Sequence, residues 1–258
     1  MKIAAPASML EGVTYHFKKA GHGFELEEPM NFACTKTGHE ITIARSRQLM
    51  DYVDDDAVDL ALVGSDILKE RQFLRASRGE LSPALHTLAT YEGYGRQFIT
   101  PQLITVARRD SGVESISPGM VIATEHPFTL KKYLEFRGLT PARLGADHGV
   151  PLTPGEFRGW SLSRGCVGIW LVDGKEPGAL NVKEADAATM VNESGRTVDK
   201  NGLVVLDVIE SISMNILANQ RAVREHEGVI LPFVESLDRA HLVTRKEFEA
   251  SQGSPERV

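Results

Sequence analysis

The chain has 258 residues, 42% hydrophobic and 25% charged, a balance that supports a real core and excludes a disordered or low-complexity protein. A formal net charge of −6 excludes a general phosphate-backbone or anionic-membrane surface, because such affinity needs clustered Lys and Arg, so neither nucleic acid nor membrane is expected as a partner. Cys34 and Cys166 lack CxxC spacing, which leaves no disulfide framework, and with neither a leader-like N-terminus nor a long apolar run the expected compartment is cytoplasmic.

In chain order, KIAA (residues 2–5) predicts a strand, followed by a helix that carries Leu10, Val13, Tyr15 and Phe17 and stops at Gly21. EITIA (40–44) predicts the next strand and SRQLMDYVDD its helix, with Ser46 as the N-cap. DLALV (59–63) is a third strand that ends at Gly64 before a short helix, SDILKE. Strands alternating with helices imply a parallel, doubly wound sheet. Residues 71–82 are polar and basic without periodicity and read as a mobile surface loop. HTLATYE and QLITVARR predict two further strands, and GMVIATEHPFTLKKYLEFRGL predicts strand, turn and helix closed by Gly138. Residues 146–183 are rich in Gly and Pro, with CVGIWLV as the one clear strand. The chain then offers the strand ADAATMV, a polar loop, one long β-run LVVLDVIESISMNILAN, and a helix from Pro232 to Ala250 ahead of a fraying tail.

No internal repeat is visible. The order of elements implies two lobes with a small-molecule cleft between them. The first lobe is expected over residues 1–100, completed by about 204–225, the second over 101–203, and a helix and tail over 226–258. On this plan LVVLDVIES rejoins the sheet that holds KIAA and DLALV.

The stretch VNESGRTVDKNGL (191–203) concentrates small, hydrogen-bonding groups between two strands and reads as a phosphate cradle. Successive N–H groups in a tight Gly-containing turn form an anion-binding nest, Ser194 and Thr197 add hydroxyls, and Gly195 permits close approach. A plain polar turn is the alternative, with Asn201 and Gly202 as turn residues. The histidines show no HxxxH spacing, so no structural metal site is expected. Asp59 and Asp66 are not assigned as acid or base, since Asp66 can cap a helix, and Lys131, Lys132 and Arg137 fit a solvated helix face.

Three segments in the right order resemble the ATP phosphoribosyltransferases that open histidine biosynthesis. YVDDDAVDLALVGSD is similar to that family's YVxxGxADLGIxGxD, VIATEHPFTLKKYLEFRG to its RIATxYPxLxxRYxxxxG, and VNESGRTVDKNGL to its VETGxTLxxNGL. The resemblance covers roughly residues 2–219. It implies a two-lobed α/β fold of the periplasmic-binding-protein (type II) kind, with a cleft between the lobes. It also implies transfer of ribose-5-phosphate from phosphoribosyl pyrophosphate (PRPP) to a nitrogen of ATP or a related purine nucleotide, with release of pyrophosphate and Mg2+ accompanying PRPP. Carried over residue by residue, Glu193, Ser194, Gly195, Arg196 and Thr197 would hold the 5′-phosphate, and Arg45, matching the arginine of a VRPxD-like segment, would face phosphate or nucleotide. No catalytic residue is assigned. A homo-oligomer, with a possible regulatory partner subunit, is implied as well, and the segment after Asn219 is too short for a regulatory domain.

Departures accompany the matches. Pro6, Ala7, Ser8, Met9 and Leu10 stand where the family has PKGRL, removing a Lys and an Arg. Gly165, Cys166, Val167 and Gly168 stand where it has GSVE, and Met190 where an aspartate opens the phosphate motif. Arg45, Arg96, Arg158 and Arg164 are candidate replacement cations. The alternative function is a non-catalytic nucleotide- or PRPP-binding regulatory or partner subunit of the same fold, and a third is a solute-binding protein.

Overall fold

The computed structural model describes residues 1–26, 32–80, 84–94, 98–161, 163–172 and 176–252. The chain runs β1 (Lys2–Pro6), α1 (Leu10–Lys19), β2 (Phe32–Cys34), β3 (Glu40–Ala44), α2 (Ser46–Asp54), β4 (Leu60–Gly64), α3 (Ser65–Ser77) and β5 (Leu85–Tyr91). It continues through β6 (Gln102–Arg108), β7 (Val121–Thr124), α4 (Pro127–Phe136), β8 (Thr140–Arg143), α5 (Pro154–Ser161), β9 (Cys166–Leu171), α6 (Glu176–Asn181), β10 (Ala187–Asn192), α7 (Arg196–Lys200) and β11 (Leu203–Ser211). It closes with β12 (Met214–Asn219) and α8 (Gln220–Gln252). Two compact units result, Met1–Thr100 with Ser213–Val258, and Pro101–Ile212.

The first unit is built on a sheet of order β2-β3-β1-β4-β12-β5. β1 runs parallel to β3 and β4, whereas β12 returns antiparallel to β4. Because the sheet is covered on both faces, β4 is apolar at consecutive positions: Leu60 and Leu62 join one core cluster, Ala61 and Val63 the other. The amphipathic helices follow, α1 burying Val13 and Phe17 and α2 burying Leu49, Met50 and Val53. Between α1, α8 and the end of β5 lies an aromatic stack. His16, 1% exposed, stacks on Tyr94 at 4.0 Å between ring centroids, His241 of α8 lies 5.8 Å from His16, and the Tyr91 hydroxyl donates to Asp238 at 2.7 Å. Burial lowers the His16 pKa to about 4, with an opposing contribution from its hydrogen bond to the Gly12 carbonyl.

The second sheet has the order β11-β6-β10-β7-β9-β8. Read from β8, it repeats the first over five strands: a central strand (β7, as β1) lies between parallel neighbours (β9 and β10, as β3 and β4), then β6, as β12, runs antiparallel to its neighbour and β11, as β5, antiparallel to β6, whereas the remaining edges differ, β8 parallel to β9 and β2 antiparallel to β3. The repeat extends to side chains. Asp59, ahead of β4, accepts the Lys2 N–H on Oδ2 at 2.7 Å while its own N–H donates to the Lys2 carbonyl at 2.9 Å. Asp186, ahead of β10, does the same with Val121, at 2.8 and 2.9 Å. Each carboxylate also takes an arginine at 3.3 Å, Arg221 on Asp59 and Arg158 on Asp186. α4 ends as expected, with Gly138 at φ +72°, its N–H donating to the Glu135 carbonyl and the Leu139 N–H to that of Leu134.

Several expectations are corrected. LVVLDVIES does not rejoin the first sheet: β11 pairs with β6 in the second, and the return is made by β12, so the chain re-enters the first unit at Ser213 rather than near residue 204. Residues 71–77 continue helix α3 instead of looping, because Arg71 and Arg75, one turn apart, both reach the buried Asp54 carboxylate of α2, at 3.2 and 2.5 Å. The Gly- and Pro-rich stretch holds α5 and α6, and β8 precedes it. α2 is capped by Arg45, with Ser46 as its first residue. α8 starts at Gln220, not Pro232, and breaks its helical geometry at His226. Residues 81–82 of the expected loop, and the tail from residue 253, lie outside the described residues.

Candidate functional site

In parallel sheets ligands gather at the carboxyl ends of the strands. In the second unit that rim carries the turn after β10. Asn192 ends the strand and its Oδ1 accepts the Gly195 N–H at 2.9 Å. Gly195 has φ +75°, a left-handed conformation that a side chain disfavours, and the space where its Cβ would stand is open. α7 follows at once, closing with the Asp199 N–H on the Gly195 carbonyl at 3.0 Å and anchored by buried Val198. Glu193, Ser194, Arg196 and Thr197 are exposed. The expected cradle between two strands is therefore a tight turn plus a short helix, and the Gly195 amide is occupied by Asn192. Left to face a ligand are the Ser194 and Thr197 hydroxyls, the Arg196 guanidinium and the first-turn amides of α7, which have no acceptor within a helix. Asn192 escaped the sequence reading, although Asn at a strand end, three residues before a glycine, is a recognisable local cap.

The structure brings Glu193, Ser194, Gly195, Arg196 and Thr197 onto one turn; Arg45 belongs to the other unit. There it is exposed at the carboxyl end of β3 and precedes α2, its N–H donating to Gln48 Oε1 at 3.2 Å. Parallel pairing sets Pro6 against Ala44, so the ends of β1 and β3 adjoin, and the Ser8 and Ser46 hydroxyls lie 3.4 Å apart. Ala7 and Ser8 are exposed, and Met9 is half-buried against the first core cluster.

Other sequence candidates separate by position. Asp59 sits at the amino end of its strand and ties β1, β4 and α8 together, away from the rim. Asp66 lies buried in the first turn of α3 but does not cap it, since Gly64 occupies that place. Arg158 is held by Asp186 and the Glu184 carbonyl, and Arg164 lies over the Trp160 ring at 4.5 Å, so both are engaged in local structure. Arg137 pairs with Asp207 and Tyr133. Arg96 lies outside the described residues. The Gly165–Gly168 match to GSVE falls on the start of β9, where a Cβ at Gly168 would meet Phe157 at 2.8 Å and Leu144 at 3.0 Å. No carboxylate fits there. Met190 is half-buried in β10 against the cluster of Ile104, Ala188 and Leu203, an apolar seat rather than a ribose contact.

Residues 45–239 match the family model of ATP phosphoribosyltransferase, which takes in the turn after β10, the rim residue Arg45, all of the second sheet and β4, β5 and β12 of the first. The chain belongs to the ATP phosphoribosyltransferase family. Among ATP phosphoribosyltransferases, that of Methanothermobacter thermautotrophicus is 28% identical over 202 residues, covering 76% of this chain and 56% of its own length. That of Symbiobacterium thermophilum is 26% identical over 256 residues, 96% of this chain and 97% of its own. Among solved structures, a chain of the ATP phosphoribosyl transferase (HisG:HisZ) complex from Thermotoga maritima superposes with TM-score 0.59 at 19% identity, covering 93% of this chain and 98% of that one. The periplasmic aliphatic sulphonate binding protein of Escherichia coli superposes with TM-score 0.57 at 12% identity, over 97% and 75%. The two solved structures share with this chain the two-lobed, periplasmic-binding-protein-like α/β fold. Among the described residues no helix is long and apolar enough to cross a membrane.

Proposed function

We propose that the protein transfers ribose-5-phosphate from PRPP to a nitrogen of ATP or a related purine nucleotide in the cytoplasm, releasing pyrophosphate. The observation that carries the reading is the Asn192–Gly195 turn at the carboxyl end of β10, in a chain of this family. It gives a dianionic 5′-phosphate two hydroxyls, a guanidinium and helix-start amides within five residues, Glu193, Ser194, Gly195, Arg196 and Thr197. Arg45 would serve phosphate or nucleotide from the rim of the first unit. In the reaction the acceptor nitrogen forms a bond to C1′ as the bond to pyrophosphate breaks, so the protein's tasks are to position the acceptor and stabilise the leaving charge.

Mg2+ would accompany the pyrophosphate of PRPP, neutralising its charge. Among the described residues no three His, Cys, Asp or Glu side chains gather to hold an ion. An ion carried in that way keeps several waters and binds mainly through substrate phosphates. A homo-oligomer, with a regulatory partner subunit, completes the proposal, supported by the named complex among the structural relatives.

A second reading, a nucleotide- or PRPP-binding subunit without catalysis, is favoured by Ala7, Met9 and Met190 at positions where charge is expected. Titrating Mg2+-PRPP with a panel of purine nucleotides while following pyrophosphate separates the two. Stoichiometric release with one acceptor supports the transferase. Binding of PRPP or of a nucleotide without release under any acceptor supports the second reading, and binding of neither rejects both.

A further inference from the structure

α7 does more than present the turn. Asn192 pairs with Gln102 and Ala188 with Val106, while Leu203 pairs with Arg108, so α7 carries the chain from the carboxyl end of β10 back to the level of its amino end. There Asn201 and Gly202, with Arg108, Arg109 and Asp110, line a concavity of about 390 Å³. The two arginines are differently used. Arg108 is spent on Asp110, Nε on one carboxylate oxygen at 2.8 Å and Nη2 on the other at 2.6 Å. Arg109, which lines the concavity, makes one long side-chain contact among the described residues, Nη2 to the Leu203 carbonyl at 3.5 Å, so most of its five donors are left for a ligand.

We propose that this concavity is a second anion site, in which Arg109 takes a small phosphate or carboxylate. Its occupant would be read at the turn. The Arg109 N–H donates to the Gly202 carbonyl at 3.0 Å, and Asn201 grips the Thr197 carbonyl twice, from its backbone N–H at 3.2 Å and from Nδ2 at 2.8 Å. The Gly202 N–H in turn donates to the Asp199 carbonyl at 3.1 Å. An anion that shifts Arg109 therefore pulls on the residue that supplies a hydroxyl to the turn. The site makes no use of the transferase reading and survives its failure.

The test is an amide NMR titration of the isotopically labelled full chain with inorganic phosphate and, in parallel, malonate, at constant ionic strength set by chloride. The expected result is a saturable shift of the Asn201 and Gly202 amides with at least one of the two anions, accompanied at the same midpoint by Thr197. Which anion saturates identifies the class. Arg109→Gln should weaken that response at least tenfold, the loss of one charge-assisted contact, and Arg109→Lys should retain most of it. Arg109 is exposed, so neither change threatens folding. A response that is linear, matched by chloride or unchanged in Arg109→Gln overturns the site. A Gly202 response that leaves Thr197 still overturns its link to the turn.

Discussion

At Gly195 the backbone, not the space, demands glycine. Its φ of +75° strains any side chain, yet the position of a Cβ is open to the surface. Gly195→Ala should therefore cost only about 1 kcal/mol of stability in a urea titration while weakening PRPP binding at least tenfold, as the turn relaxes away from the geometry that aligns Ser194 and Thr197. Unchanged PRPP affinity in the folded variant would detach the turn from phosphate binding. The glycine was legible because its type announces the conformation, whereas Asn192 was not, because its role depends on a side chain folding back onto its own turn. The missing charges are likewise a residue-scale matter. Ala7 is exposed beside Arg45's strand end, so Ala7→Lys combined with Met9→Arg should raise ATP-dependent pyrophosphate release about tenfold or more, one charge-assisted contact being worth roughly 1.5 to 3 kcal/mol. Met190→Asp should instead lower the denaturation midpoint, since it sets a carboxylate against Ile104 and Leu203.

Among elements, those whose hydrophobic period is carried by side chains of one kind were readable: β3 as an alternating strand, β4 as an apolar run, α1 and α2 as amphipathic turns. α3 was readable only in its first half. Beyond Glu70 its half-buried positions include Arg71 and Arg75, which look like solvent residues until Asp54 is known to lie beneath them. The packing of α1 against α8 has a pH signature. His16 has its pKa lowered to about 4 by burial, and His22, His39 and His241 are lowered in the same direction, by burial first. For such a group the unfolded chain takes up its proton first, so its stability contribution is intact above pH 6.5, falls as pH drops below that value, and is fully lost near pH 4. His16 alone accounts for about 3 kcal/mol over that window. Thermal denaturation between pH 7 and 4 should show the loss, and His16→Phe should flatten it; an equal slope in the variant would place the acid sensitivity elsewhere.

For the whole molecule, the alternation of strands and helices disclosed the α/β class and two lobes, but not where the chain changes sheets. LVVLDVIESISMNILAN reads as one β-run because neither Gly nor Pro interrupts it. The switch is made at Ile212 and Ser213, where Ile212 donates its N–H to the Pro101 carbonyl at 2.7 Å while Ser213 exchanges backbone and hydroxyl bonds with Ser65. The internal repeat was hidden for a similar reason: strand order and the paired roles of Asp59 and Asp186 recur, whereas the residues between them do not.

That one hydrogen bond between Pro101 and Ile212 means that the second unit begins and ends at the same point in space. A segment of that kind is a cassette: it can be lifted out of the gene as a single uninterrupted block, and the host can be resealed with a short peptide, without cutting any strand in either sheet. Residues 101–212 expressed alone should melt in one cooperative transition monitored by circular dichroism. A broad, non-cooperative loss of signal would mean that this half is a guest that depends on its host.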